Sequence, residues 1–255
     1  MKEPVVVLGI GEMGRVFSSG LLRTGHPVYP VTREMDIDRE ATLIPGPELV
    51  VVAVGEKDLP TVLDRLPESW RDRVCLLQNE LLPRDWRDWH IVRPTVATVW
   101  FEKKHGREVR PILPTPVYGP KAGRILDALG SLDIPAVEVV DANEMLHEMV
   151  RKNLYVLTSN FAGLVVGGTV GALWSDHRPL AREVAGEVLA LQEWLARESL
   201  HRERLLAGMV EAFEADPEHE CLGRSARERL ERTLHTADEA GLAAPCLRRI
   251  LAQTR

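Results

Sequence analysis

Val5–Gly14 read VVVLGIGEMG, an apolar run that opens directly into a G-x-G-x-x-G turn built on Gly9, Gly11 and Gly14. The residues behind the turn, Arg15 to Arg23, carry helical spacing. Strand, glycine turn and helix in that order separate a dinucleotide-binding turn from a chance glycine pattern. Gly9 permits the tight turn, Gly11 lets the backbone approach a pyrophosphate, and Gly14 lets helix and strand pack closely. Glu12 and Met13 lie between these glycines and join the candidate cofactor-binding set. The free N–H groups at the start of the helix carry partial positive charge toward phosphate.

Outward from this turn, short apolar strands alternate with helical segments, the pattern of a parallel sheet with crossover helices. The strands expected are Val5–Leu8, Val28–Val31, Leu49–Val54, Val74–Leu77, Ile91–Val92 and Val137–Val140. Val96–Phe101 and Val109–Leu113 read as an added antiparallel pair around Lys104–Gly106. Helices are expected at Leu59–Leu66 and Lys121–Leu129 between them. From Ala142 the periodicity is helical throughout: Glu144–Val166, Pro179–Glu198, Leu200–Ala215, Ser225–Ala240 and Pro245–Gln253. The fold class expected is therefore α/β, a doubly wound nucleotide-binding domain over residues 1–141 followed by an all-helical domain over 142–255. Asp216–Gly223 (DPEHECLG) reads as a flexible linker between helices.

The bulk numbers narrow the function. A net charge of −6 argues against a nucleic-acid partner, which needs a basic face. Cys75, Cys221 and Cys246 are odd in number and far apart, as expected of reduced thiols in a cytoplasmic protein. The first strand begins next to Met1, which leaves no room for a signal peptide. Leu154–Leu173 is nearly free of charge and long enough to cross a membrane, but Thr158, Ser159 and Asn160 interrupt it. A helix apolar on every side is also what a buried core or subunit interface requires, and no membrane partner is expected. Gly163, Gly167 and Gly171 recur at a spacing that lets another helix or a cofactor come close, which makes a homodimer plausible. His219 and Cys221 in EHEC lack a second ligand pair at metal-binding spacing, so no metal is expected.

The second strand ends in Thr32 and Arg33, beside the expected adenosine ribose. A guanidinium there accommodates a 2′-phosphate and favours NADP(H); Glu34 and Asp36 follow closely and could instead take ribose hydroxyls. The third strand ends through Val54 and Gly55 into Glu56 and Lys57, which should pass under the cofactor. The fourth ends in Gln78-Asn79-Glu80, and Asn79 is positioned either to bond the ligand or to close an Asx turn. Reduction of a carbonyl needs a proton donor beside the developing alkoxide. The helical half offers Lys152, the last charged side chain before the apolar run. Asn160 lies eight residues on, close to the same helical face. Desolvation at the margin of an apolar helix lowers a lysine pKa and suits it to acid catalysis; His147 is a competing acid. Arg224, Arg227 and Glu228 read as a solvated face or a clamp for a substrate carboxylate.

GIGEMG with TGHPV, VTR after the second strand, LVVVAV, the LLQN element and the RK…N helix occur in an order that resembles the ketopantoate reductase family. The resemblance covers nearly the whole chain. It implies a Rossmann domain followed by a helical domain of the 6-phosphogluconate dehydrogenase C-terminal type, and NADPH-dependent reduction of a small 2-oxo acid. It further implies Lys152 as proton donor to the carbonyl oxygen and Asn79 as a contact to cofactor and substrate. Asn160 would lie near the substrate, and Arg33 at the 2′-phosphate. The chain departs from that pattern in several places. Gly55 stands where the family has a lysine, with Lys57 two residues late, and Glu80 stands where it has a glycine. Val156 replaces the first helix asparagine. The substrate-binding glutamate falls near Ser225, with Glu228 one turn away. Lost hydrogen-bonding partners discriminate strongly against a substrate, so ketopantoate itself is not the expected one. Two alternatives accompany the reductase reading: an imine or β-hydroxyacid dehydrogenase, and a non-catalytic NADP-binding sensor or partner protein.

Overall fold

The structure, a computed structural model, describes residues 2–223 and 225–254. Its first half runs β1 (Val5–Leu8), α1 (Glu12–Arg23), β2 (Val28–Val31), α2 (Ile37–Leu43), β3 (Leu49–Val52), α3 (Leu59–Asp64), β4 (Val74–Leu76), α4 (Arg84–Arg87) and β5 (Thr95–Ala97). It continues through the hairpin β6 (Phe101–Glu102) and β7 (Arg110–Pro111), then β8 (Thr115–Tyr118), α5 (Ala122–Gly130) and β9 (Ala136–Glu138). Helices follow: α6 (Ala142–Val166), α7 (Val170–Asp176), α8 (Arg178–Ala196), α9 (Arg202–Ala215), α10 (Ala226–Glu239) and α11 (Pro245–Gln253). The chain divides into two compact units, Met1–Glu148 and Met149–Arg255.

The first unit is a seven-stranded sheet in the order β2-β1-β3-β4-β5-β8-β9. Pairing is parallel from β2 to β5, antiparallel between β5 and β8, and parallel again to β9. VVVL and LVVV in β1 and β3 are fully buried, as central parallel strands covered on both faces require. Alternation sends Val5, Val7, Leu49 and Val51 to one core, with Phe17 and Leu21 of α1 and Ile125 and Leu129 of α5. Pro30 is tolerated because β2 is an edge strand. The sheet order reverses between β1 and β3, and in open α/β sheets that switch point opens the ligand crevice at the carboxyl ends of the strands.

Several elements differ from expectation. Ile91–Val92 is not a strand: Val92 is exposed, and β5 forms beyond Pro94 instead. The hairpin is shorter than expected and starts at Phe101. β8 is unexpected because it carries Pro116 and follows Pro114, yet Pro116 uses only its carbonyl, which accepts from the Thr98 N–H at 2.9 Å. The apolar run Leu154–Leu173 is broken by Gly167 and Gly168, with φ of +63° and +72°, and resumes as α7 capped by Thr169. Among the described residues no helix is long and apolar enough to cross a membrane.

Asp216–Gly223, expected to be a flexible linker, is instead a strap docked on the junction of α6 and α7. The Val170 and Gly171 N–H groups donate to the His219 and Pro217 carbonyls, and the Cys221 N–H donates to the Gly168 carbonyl. A Cβ on Gly163 would lie 2.7 Å from the Cys221 Cβ, and one on Gly171 would lie 2.9 Å from Pro217. Gly163 and Gly171 therefore admit this strap within their own unit, whereas nothing lies within 4 Å of where a Cβ on Gly167 would be.

Candidate active site

In the first unit the glycine turn takes three separable forms. Gly9 has φ +91°, and a Cβ there would meet the Ala53 carbonyl oxygen at 3.0 Å, joining the ends of β1 and β3. A Cβ on Gly14 would fall 2.0 Å from the Gly9 carbonyl oxygen, so strand end and helix pack backbone to backbone. Around Gly11, by contrast, nothing lies within 4 Å of where a Cβ would be. Gly11 also caps α1 without a side-chain hydrogen bond, leaving first-turn N–H groups for an anion. That opening fits a dinucleotide pyrophosphate. Met13 packs on the sheet core, while the Glu12 carboxylate turns to the hairpin tip and lies 3.4 Å from His105 Nδ1.

Beyond β2, Thr32 and Arg33 are exposed, and Arg33 makes no ion pair with any described residue. Asp36, the nearby competitor for ribose hydroxyls, accepts from the Asp38 N–H at 3.1 Å as the N-cap of α2. Beyond β3 and β4 the chain ends are tied by Gln78, whose Nε2 donates to the Val52 and Val54 carbonyls at 2.8 and 3.1 Å. Asn79 Nδ2 donates to Glu56 Oε1 at 3.0 Å, so its amide is held by an acid from beyond the end of β3. Gly55 has φ −64°, a value open to any residue, and Lys57 after it is exposed. Glu80 adopts φ +63°, the left-handed region that glycine occupies without strain. Gln78 received no role from the sequence, and Glu56 was expected only to pass under the cofactor; the signal for both was a run of polar residues immediately after two buried strands.

The second unit assembles a separate polar centre inside an apolar helix bundle. Lys152, Asn153 and Asn160 of α6 are all buried. Lys152 Nζ lies 5.3 Å from the centre of the Tyr155 ring, which packs on Phe213 at 5.4 Å and His219 at 6.1 Å. Asn153 Nδ2 donates to Gln192 Oε1 of α8 at 3.0 Å. Asn160 joins three segments: its Nδ2 donates to the Cys221 carbonyl of the strap at 3.3 Å, and its Oδ1 accepts from Arg229 Nη1 of α10 at 3.1 Å. Gly223 is required beside it, since a Cβ there would lie 2.6 Å from Asn160 Oδ1. Burial, and next the charge of Arg229, push the Lys152 pKa down to about 7.

Arg229 is the residue that sequence reasoning missed. It sits on the buried stripe of α10 with Ala226, Leu230, Thr233 and Ala237, and an arginine on that stripe was the available signal. Glu228 and Arg227 are exposed, and Arg227 pairs with Glu231. Ser225 is half-buried before α10, its carbonyl accepting the Arg229 N–H at 2.9 Å. Arg224 lies outside the described residues. His147 is half-buried on α6, five residues before Lys152.

No family model and no curated protein matches the chain. Solved structures do. A PanE/ApbA family ketopantoate reductase from Ralstonia eutropha superposes with a TM-score of 0.71 at 15% identity, covering 99% of this chain and 97% of that one. The chain has the ketopantoate reductase fold. A dimeric ketopantoate reductase from Staphylococcus aureus gives a TM-score of 0.66 at 16% identity, covering 99% of this chain and 97% of its own. A D-mandelate dehydrogenase in ternary complex with NADH and anilino(oxo)acetate gives 0.68 at 14% identity, with 98% and 97% covered. The ketopantoate reductase fold thus matches over the full length, whereas the identities leave the chemistry to be argued from this chain's own residues.

Proposed function

We propose that this chain is an NADPH-dependent reductase of a small 2-oxo acid or related carbonyl compound, with Lys152 as the proton donor. One observation carries the reading: a lysine nine-tenths buried in the helical unit, its ammonium form destabilised until it titrates at about 7. An ordinary helix-surface lysine has no such environment, and a pKa near the operating pH is what general acid catalysis favours. The open backbone at Gly11 and the start of α1 would hold the pyrophosphate, and Thr32 and Arg33 the 2′-phosphate. The use of Asp36 as a helix cap supports NADPH over NADH, because it removes one competitor for the ribose. The dinucleotide, when bound, supplies the hydride that reduces the carbonyl carbon.

Lys152 would donate its Nζ proton to the carbonyl oxygen as negative charge develops there, and then recover a proton from solvent. Reduction uses the ammonium form, so kcat/KM should fall as pH rises above about 7. Following NADPH absorbance across a panel of 2-oxo acids tests the proposal. Lys152→Ala is expected to lower kcat by about 100- to 10,000-fold while NADPH binding is nearly unchanged. Substituting NADH in the same assay is expected to lower kcat/KM. Equal turnover in Lys152→Ala would remove Lys152 from the chemistry. Tight nucleotide binding with no turnover of any panel member would favour the sensor reading.

A further inference from the structure

We infer that His105, at the tip of the β6–β7 hairpin, is a positioning residue for the dinucleotide: it holds the Glu12 carboxylate away from the pyrophosphate. The inference rests on the cofactor reading above and gives a role to two residues that the reduction itself does not use. Glu12 is the first residue of α1, directly after Gly11, so its backbone N–H is among the free groups that an anion would occupy. A carboxylate side chain at that position is itself attracted to the helix N-terminus. It therefore competes with phosphate for the same partial positive charge, and repels a phosphate that is already bound. An acid is an adverse choice at this point of the turn unless something keeps it aside.

The group that does so lies 93 positions away in the sequence. His105 Nδ1 is 3.4 Å from Glu12 Oε1, and the carboxylate can only accept, so the imidazole donates. The His105 side chain is 91% exposed, which leaves it almost no packing role beside this contact. The hairpin that carries it is anchored at its base and reaches outward. Phe101 is buried and packs on Phe17 of α1 at 6.2 Å, while only Phe101–Pro111 and Glu102–Arg110 pair across the strands. Beyond those pairs the chain turns at Gly106, with φ +72°. A cavity of about 620 Å³ lies between the hairpin, α1 and the turn before β9, with Glu12 and His105 both on its wall. The other charged groups on that wall are Arg15 and Arg23 of α1, Lys103 and Glu108 of the hairpin, and Asp133 of the turn. Among the described residues none of these pairs with Glu12, so the hairpin tip alone draws the carboxylate off the glycine turn.

The test is a double-mutant cycle read by calorimetric binding of NADPH, which needs no turnover. The proteins compared are wild type, His105→Gln, Glu12→Gln and the double variant. At low ionic strength His105→Gln is expected to weaken NADPH binding by about 5-fold, the scale of one exposed charged contact. That loss should shrink as salt is raised, which a merely structural role of the hairpin tip would not show. Glu12→Gln removes the competing charge and is expected to bind NADPH as tightly as wild type or more tightly. Adding His105→Gln to Glu12→Gln then costs nothing further, because the residue acts only through the carboxylate. Unchanged affinity in His105→Gln overturns the inference and leaves the cofactor reading standing. So does the same loss in the Glu12→Gln background, which would put His105 on the phosphate itself, and so does weaker binding in Glu12→Gln alone. Failure of wild type to bind either NADPH or NADH overturns the inference together with the cofactor reading.

Discussion

At Lys152, burial works against charge. Burial and the neighbouring Arg229 destabilise its ammonium, and a folded-state value of about 7 lies well below the unfolded value of roughly 10.4. The unfolded chain therefore holds the proton more tightly than the native one. Stability from this group is fully present above about pH 10, is lost progressively as pH falls toward about 7, and is constant below that. Lys152→Met keeps the length of the side chain and removes the titration. It is expected to raise Tm, most at about pH 6 and least near pH 10, by about 2–4 °C for each kcal/mol relieved. Calorimetric scans of both proteins across that range check it; a pH-independent difference would mean that Lys152 is not buried as described. Glu80 is a second strained residue. Its φ of +63° costs an L-residue about 1–2 kcal/mol, so Glu80→Gly is expected to stabilise the protein, offset by the greater entropy of glycine in the unfolded chain. The net gain expected is about 1 kcal/mol in urea unfolding.

Among the elements, the strap Asp216–Gly223 most changes the meaning of its sequence. DPEHECLG is polar and proline-bearing, which reads as solvent-exposed linker, yet Asp216 and Cys221 are buried and its backbone bonds to the start of α7. Composition could not reveal this, because the docking surface is made by glycines that lie elsewhere in the chain. The distinction is measurable. Gly163 in α6 faces the strap, whereas Gly186 in α8 has nothing within 4 Å of where a Cβ would be. Gly186→Ala gains helix propensity alone and is expected to stabilise by about 1 kcal/mol. Gly163→Ala gains the same propensity but forces the methyl against Cys221, and overpacking of about 1–3 kcal/mol should reverse the sign. Denaturant unfolding of the two variants separates the cases; equal stabilisation would show that the strap yields freely. β8 was hidden for a related reason. Pro116 within it and Pro114 before it argue against a strand by local rules, while its place beside β5 and β9 depends on partners distant in sequence.

Across the whole molecule, the sequence by itself determined the elements whose logic is local. VVVL followed by G-x-G-x-x-G specifies a buried strand, a tight turn and a helix with free N–H groups at its start, because dihedral freedom, apolar periodicity and the helix dipole all act within a few residues. The alternating first half and the helical second half were legible for the same reason, as was Lys152 at the margin of an apolar run. Only the tertiary structure decided which polar groups meet. It put Asn79 on Glu56 and tied β3 to β4 through Gln78. It also turned Asn160 toward Arg229, a residue 69 positions away. Such contacts depend on how buried faces of separate elements come together, and burial is what converts those side chains from solvated polar groups into an electrostatic site. Periodicity along a chain tells which face of a helix is buried; it does not tell which charge waits on the other side.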